Sequence, residues 1–253
     1  MDAKVAIVTG ASSGIGRASA KLFAGSGYTV VAVGRNEKEL SALAASNKSK
    51  KGSIRIHLAD VREHSQLDRL VSEAIANHGR IDVLVNSAGI IQSGNIENTT
   101  LDDWDKMLNI NLRSVFVLMQ KCLPHLAETK GNIVNVSSVA GTRSFPNVLA
   151  YCVSKAAVDQ LTRCSALELA PRGIRVNAVN PGVVVTNIHK RGGMEDEAYN
   201  AFLEHSKTTH PIGRVGTAAE VAELIHYLAS DKASWITGAT YEIDGGRAQT
   251  CAR

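Results

Sequence analysis

Tyr151 and Lys155 stand four residues apart, a spacing that places two side chains on one face of a helix. A free phenol has a pKa of about 10 and is a poor acid or base near neutrality. An ammonium beside it favours the phenolate and lowers that pKa. Such a phenol could exchange a proton with an alcohol or a ketone. Y-x-x-x-K alone arises by chance on many helices, so its meaning depends on the surroundings. Ser138 lies thirteen residues before Tyr151, just past an apolar β-branched run, at the carboxyl edge where open α/β sheets bind ligands.

A second constellation lies near the N-terminus. The run Thr9-Gly10-Ala11-Ser12-Ser13-Gly14-Ile15-Gly16 follows a short β-branched segment and precedes a helical one. Gly10 allows a tight turn, Gly14 lets backbone approach a diphosphate, and Gly16 permits close helix-to-strand packing. Ser12 and Ser13 can donate hydroxyl hydrogen bonds to phosphate oxygens. In this strand-turn-helix setting the run is read as a dinucleotide loop.

The second strand of such a unit usually ends in a carboxylate that binds the ribose of NAD. Here Gly34 and Arg35 occupy that place. Gly34 leaves space, and the planar fork of Arg35 suits a 2′-phosphate, which predicts NADP(H). The alternative is a solvated charge heading the next helix, which would leave NAD(H) as the cofactor. Asp60 and Val61 follow the third strand. Asp60 either accepts from an adenine amino group or caps the next helix. Asn86, Ser87, Ala88 and Gly89 end the fourth strand. Their small size lets the chain pass close to a cofactor, although Asn86 would equally serve the turn.

Alternating periods supply the elements that hold these residues. Short runs at 5–8, 30–33, 54–58, 83–86, 133–136, 176–179 and 241–243 read as buried strands. Helical spacing is clearest at 18–23, 67–75, 104–126, 156–169 and 221–228. Strand and helix in alternation imply a parallel sheet covered on both faces. The expectation is an α/β chain forming a single Rossmann-type doubly wound domain over 1–253, with a seven-stranded sheet. Residues 187–211 break the pattern and carry Gly192 and Gly193. A long irregular excursion of this kind is expected to be a substrate loop or lid.

Composition narrows the classes. At 44% hydrophobic and 21% charged, the chain is an ordinary globular protein. A net charge of +4 without a basic stripe interleaved with aromatics argues against nucleic acid, and the cluster at Lys48, Lys50 and Lys51 reads as a solvated loop. Cys122, Cys152, Cys164 and Cys251 lack C-x-x-C spacing and a histidine cluster, so no metal site and no disulfide framework are expected. No apolar run approaches the ~20 residues of a membrane helix. A first strand beginning at about Lys4 leaves no room for a leader, and a cytoplasmic protein is expected.

Taken together, 9–16, Asn86–Gly89, Asn111, Ser138, Tyr151-Cys152-Val153-Ser154-Lys155, Pro181-Gly182 and Asp244-Gly245-Gly246 resemble the short-chain dehydrogenase/reductase family. The likeness runs from Lys4 to about Gly246, with Ser87 where the family often has a second Asn and Ser13 where many NADP-binding members carry a basic residue. It implies a four-residue site. Tyr151 would be the acid in reduction and the base in oxidation. Ser138 would bond the substrate oxygen where charge develops, and the family's spacing to Tyr151 prefers it to Ser137. Lys155 would bind the nicotinamide ribose and depress the Tyr151 pKa. Asn111 would hold a water in a proton relay, and Pro181, Gly182 and Thr186 would border the nicotinamide.

The resemblance also implies a homotetramer built through the helices near 104–126 and 151–170 and the last strand. The pattern is similar to that of 3-oxoacyl-thioester reductases. The activity expected is NADP(H)-dependent interconversion of a ketone or aldehyde and an alcohol, with a small carbonyl or alcohol substrate. The alternatives are an NAD(H)-dependent alcohol or hydroxysteroid dehydrogenase, and a cofactor-binding regulatory or scaffold protein without turnover.

Overall fold

The structure is a computed structural model that describes residues 3–47 and 51–250. Lys48, Lys50 and Cys251 lie outside the described residues. The β-branched runs form seven strands: β1 (Val5–Thr9), β2 (Thr29–Gly34), β3 (Ser53–Leu58), β4 (Val83–Asn86), β5 (Asn132–Val136), β6 (Arg175–Pro181) and β7 (Thr240–Ile243). They make one parallel sheet in the order β3-β2-β1-β4-β5-β6-β7. The order reverses between β1 and β4, which is the switch point where such sheets open a crevice at their carboxyl edge.

Side-chain alternation sorts each strand between two cores. Ala6 and Val8 pack with Phe23, Leu40, Leu43, Val221, Ile225 and Leu228 on the face covered by α1 (Gly14–Gly25), α2 (Glu37–Ser46) and α9 (Ala218–Ala229). Val5 and Ile7 pack with Leu67, Leu70, Val115, Leu118 and Leu126 on the opposite face. That face is covered by α3 (His64–His78), α5 (Ser114–Thr129) and α6 (Leu149–Leu169). Burial on both faces explains why β1, β2 and β4 read as near-continuous apolar runs, whereas the edge strand β3 exposes Arg55, Ile56 and Leu58.

Three stretches depart from the sequence expectation. Helix α2 was not among the periodic segments because only Leu40 and Leu43 face inward, and its start is set by Asn36, whose side chain accepts from the Glu39 N–H. The stretch 104–126 is not one helix. It comprises α4 (Leu101–Leu108), a π-turn at Asn109–Arg113 and α5. A π-turn shifts the hydrogen-bond register and is frequent at functional sites. The 187–211 segment is helical rather than irregular, carrying α7 (Ile188–Arg191) and α8 (Asp196–Thr209). Among the residues of α8 only Tyr199 and Ser206 are buried, too few for an apolar stripe to show in the sequence.

A buried polar chain fixes α6 against the sheet edge. The Asn86 side-chain amide donates to Asn135 Oδ1 at 2.9 Å, Asn135 Nδ2 donates to Thr162 Oγ1 at 2.9 Å, and the Thr162 hydroxyl donates to the Val158 carbonyl at 2.8 Å. All three side chains are buried, so each bond is made in a setting where an orphaned group is costly. Asn135→Ala strands the Asn86 amide. It should lower the unfolding free energy by about 2 kcal/mol, measured by urea titration.

Candidate active site

The N-terminal glycine run turns sharply between β1 and α1. Gly10 and Gly14 have φ of 67° and 54°, in the left-handed region that glycine tolerates. A Cβ on Gly10 would lie 2.8 Å from the Ser87 carbonyl oxygen, and one on Gly16 would lie 2.6 Å from that of Gly10. Helix α1 has no acid in its first turn, and its N-cap, Ser13, makes no side-chain capping bond. The unpaired N–H groups of the first turn and the positive end of the helix dipole therefore face the loop, a setting suited to a diphosphate. Thr9 ties this loop to the next one: its Oγ1 accepts from the N–H groups of both Ser87 and Ala88 at 3.0 Å. The residues present thus fit a dinucleotide on geometry alone.

At the adenosine end Gly34 faces Ser12, whose side chain would lie 3.5 Å from an added Cβ. Arg35 is 67% exposed with Nη1 3.6 Å from Asp60 Oδ2. The stronger partner of Asp60 is Arg62, whose Nε and Nη2 both bond the carboxylate, the latter at 2.6 Å. The Arg62 guanidinium holds the Asp60 carboxyl below its ordinary pKa, by hydrogen bonding above all. Asp60 does not cap α3, whose N-cap is Glu63. The Asn86 side chain is committed to β5, where its amide donates to Asn135.

Tyr151 and Lys155 are the third and seventh residues of α6. The Lys155 ammonium lies 5.7 Å from the Tyr151 ring centroid. Lys155 is 5% exposed, and its Nζ donates to the Val136 carbonyl at 2.8 Å, at the end of β5. A Cβ on Gly89 would lie 3.6 Å from that Nζ, in van der Waals contact, so Gly89 borders the ammonium. Ser138 Oγ accepts from the Ala140 N–H at 3.1 Å, which leaves its own proton to donate. It faces the Tyr151 phenol and acts to lower that phenol's pKa. Ser137 points the other way, donating to the Lys155 carbonyl at 3.2 Å. Strand alternation separates the two serines as their chemistry requires.

The electrostatics correct one expectation. The Tyr151 phenol is raised, not lowered: burial pushes it up, and the Ser138 hydrogen bond opposes this only in part. Lys155 is itself pushed down to about 8 by burial, with Asp159 working in the other direction. Desolvation outweighs the mutual effect of the pair. The protein groups alone therefore do not deliver a low phenol pKa.

Asn111 sits in the π-turn with its amide saturated. Its Oδ1 accepts from the Ile90 N–H at 2.9 Å, and its Nδ2 donates to the Ile90 carbonyl at 2.9 Å and to Ser154 Oγ at 3.1 Å. The side chain thus clamps the loop after β4. A water held at this residue would fall to its backbone, where a π-turn rearranges the carbonyls. The structure places Pro181 at the end of β6 and Gly182 just past it, where a Cβ would meet His210 Nε2 at 2.8 Å. Thr186 Cγ2 lies 3.1 Å from where a Cβ on Gly14 would be, so Thr186 closes over the glycine loop.

Several residues of this neighbourhood carry no motif. Asp159, one turn beyond Lys155, is buried and accepts from Asn180 Nδ2 at 2.8 Å, and the same amide donates to the Ser138 carbonyl at 3.0 Å. Burial raises the Asp159 carboxyl, and the neighbouring Ser137 and Asn180 side chains oppose that shift. His210 Nε2 accepts from the Val183 N–H at 3.1 Å, while Nδ1 bonds the Ser206 carbonyl at 2.6 Å. The one sequence signal for Asp159 and Asn180 is a polar residue inside an otherwise apolar run. Among the described residues no cluster of three or more His, Cys, Asp or Glu could hold a metal ion, and no helix is long and apolar enough to cross a membrane.

The buried ammonium has a consequence for stability. Lys155 binds its proton less tightly folded than unfolded, so the penalty is full below its folded pKa of about 8. The penalty is relieved as pH rises toward the unfolded value. Lys155→Met should melt several degrees above the parent near neutral pH, and the gap should close in scans run at about pH 10.

Known proteins resemble the chain along nearly its whole length. A family model described as Enoyl-(Acyl carrier protein) reductase matches residues 10–248. A 3-oxoacyl-[acyl-carrier-protein] reductase of Thermotoga maritima is 38% identical over 247 residues, covering 97% of this chain and 98% of the relative. A meso-2,3-butanediol dehydrogenase of Serratia marcescens is 37% identical, covering 97% and 94%. A Caenorhabditis elegans short-chain dehydrogenase/reductase of unknown function, solved with cofactor, superposes with a TM-score of 0.93 at 37% identity, over 99% of this chain and 97% of that one. With the parallel seven-stranded sheet and the crevice at its switch point, these similarities identify the chain as a member of the short-chain dehydrogenase/reductase family, an oxidoreductase of the CH–OH/C=O class that uses a nicotinamide cofactor.

Proposed function

We propose that the chain is an NADP(H)-dependent enzyme that interconverts a ketone or aldehyde and an alcohol, with Tyr151 as its acid and base. The observation that carries this reading is the convergence of Tyr151, Ser138 and Lys155 at the carboxyl edge of β5, across the crevice from the N-terminus of α1. When bound, the nicotinamide supplies or accepts the hydride and, oxidised, adds a positive charge beside the phenol. Ser138, oriented by the Ala140 N–H, donates to the substrate oxygen as negative charge grows there. Tyr151 gives that oxygen its proton in reduction and takes it back in oxidation. Lys155 holds the ribose and keeps a positive charge near the phenol. Asn111 orders the loop at Ile90 and, through its backbone, a water leading to solvent.

Gly10, Ser12, Ser13, Gly14, Ile15 and Gly16 would cradle the diphosphate, Asp60 and Val61 would border the adenine, and Ala88, Gly89, Pro181, Gly182 and Thr186 would line the nicotinamide half. Arg35 would grip the 2′-phosphate. It is largely exposed, and its carboxylate neighbour is already taken by Arg62.

Tyr151→Phe should reduce kcat about 10³-fold with every carbonyl substrate, in assays that follow nicotinamide absorbance. Arg35→Ala should raise KM for NADPH about tenfold or more and leave that for NADH unchanged. An unchanged ratio of the two would overturn the assignment of Arg35 to the 2′-phosphate.

A homotetramer is proposed on large apolar side chains left exposed. These include Leu101 of α4, Phe116 of α5, and Val153 and Leu167 of α6, with Trp235 ahead of β7. Light scattering of the eluted protein tests it.

A further inference from the structure

Past the end of β6 the chain runs out of strand partners. The bridge between Val184 and Gly216 gives the last ladder contacts: the Gly216 N–H donates to the Val183 carbonyl at 2.9 Å and the Val185 N–H to the Gly216 carbonyl at 3.1 Å. Thr186 comes next. Both of its backbone groups turn to one atom. The Thr186 N–H donates to the Tyr199 phenol oxygen at 3.3 Å, and the Tyr199 hydroxyl donates to the Thr186 carbonyl at 2.8 Å. A single hydroxyl does the work of a neighbouring strand.

Tyr199 is well placed for that work. It is 5% exposed, in the first turn of α8, the element beyond α7. The Lys190 ammonium of α7 lies 5.0 Å from its ring centroid and pairs with Asp196 at 2.6 Å. The ring of His189 lies 4.7 Å from that of Phe202, a second contact between α7 and α8. At the far side a Cβ on Gly192 would lie 2.5 Å from the Ile91 carbonyl oxygen, so the joint between α7 and α8 rests on the loop after β4. At the near side Thr186 lies against Gly14 of the glycine loop. Residues 186–209 thus touch the loops on both sides of the crevice, and the Tyr199 hydroxyl joins α8 to the residue that meets the cofactor side.

We propose that Tyr199 is a positioning residue for dinucleotide binding: its hydroxyl pins the Thr186 backbone over the glycine loop, so that α7 and α8 close on the dinucleotide as one body. This rests on the reading that Thr186 borders the nicotinamide. A phenylalanine at 199 keeps the ring and its packing and removes only the hydroxyl, leaving the Thr186 N–H and C=O without their partner.

The test is Tyr199→Phe beside Thr186→Val in the full-length protein, with NADPH and NADH as probes. Dissociation constants come from nicotinamide fluorescence, and backbone protection comes from hydrogen exchange. With Tyr199→Phe the dissociation constant should rise about tenfold. KM for the dinucleotide should follow while kcat changes less than about threefold. In the parent, dinucleotide should protect 186–192 and α8 together, and in the variant that joint protection should be lost.

Weaker binding by Thr186→Val with parent-like binding by Tyr199→Phe would overturn the role of Tyr199 and leave the cofactor reading of Thr186 standing. Parent-like binding by both would overturn both. If Tyr199→Phe does not fold, the parent decides alone. Protection that spreads from Thr186 into α8 supports the proposal, and protection confined to 182–187 overturns it.

Discussion

Lys155 carries its ammonium into the sheet edge, where one carbonyl, that of Val136, accepts from it at 2.8 Å. Burying a charge with so few partners is unfavourable, and the fall of its pKa to about 8 records the strain. The surrounding structure holds the charge there by fixing α6. The Asn86–Asn135–Thr162 chain sets the helix against β4 and β5. Ser137 bonds the Lys155 carbonyl from the strand side. Asp159 supplies an opposing charge one turn on and is held by Asn180, which also holds Ser138. One amide thus connects the group that moderates the ammonium to the backbone of the serine beside the phenol. Positions of Ser138, Tyr151 and Lys155 are set jointly.

Much of this was legible in the sequence because the chemistry needs particular residue types at particular places. All seven strands lie where the β-branched runs put them, most plainly β1, β2 and β4, since strands buried on both faces must be apolar. The glycine run is readable because no other residue fits: at Gly10 and Gly16 the neighbours are backbone atoms that cannot move aside. Tyr151 and Lys155 share a face of α6 as their spacing requires. Ser137 and Ser138 turn to different partners, the Lys155 carbonyl and the Ala140 N–H, but the preference for Ser138 comes from the resemblance, through its spacing to Tyr151.

What was not legible depends on contacts distant in sequence or on backbone irregularity. Nothing in the 104–126 pattern marks the π-turn, because one shifted hydrogen-bond register leaves the apolar spacing almost unchanged. The clamp of Asn111 on Ile90 joins residues twenty-one apart, and Asn86 reaches Asn135 across forty-nine. Single asparagines inside apolar runs do not reveal their partners. The direction of the Tyr151 shift is hidden from the sequence for a related reason. Spacing shows the ammonium, but the burial that outweighs it belongs to the whole fold.

The switch point between β1 and β4 divides the sheet into a half that presents the glycine loop and a half that presents the phenol. Hydride transfer requires the two halves to hold their ligands in register within a fraction of an ångström. A sheet alone does not secure this, because its last ladder bonds stop short of the loops. Two threonines bridge the gap. Thr9, at the end of β1, accepts from the Ser87 and Ala88 N–H groups and so locks the loop after β4 to the glycine turn. Thr186, beyond β6, rests on Gly14 from the other side. Thr9 is fixed by the sheet on which it sits. Thr186 has no strand beside it and borrows its rigidity from Tyr199. One bridge is therefore permanent, while the other is only as firm as the packing of α8, which is where a site that must open to exchange its cofactor can afford to yield.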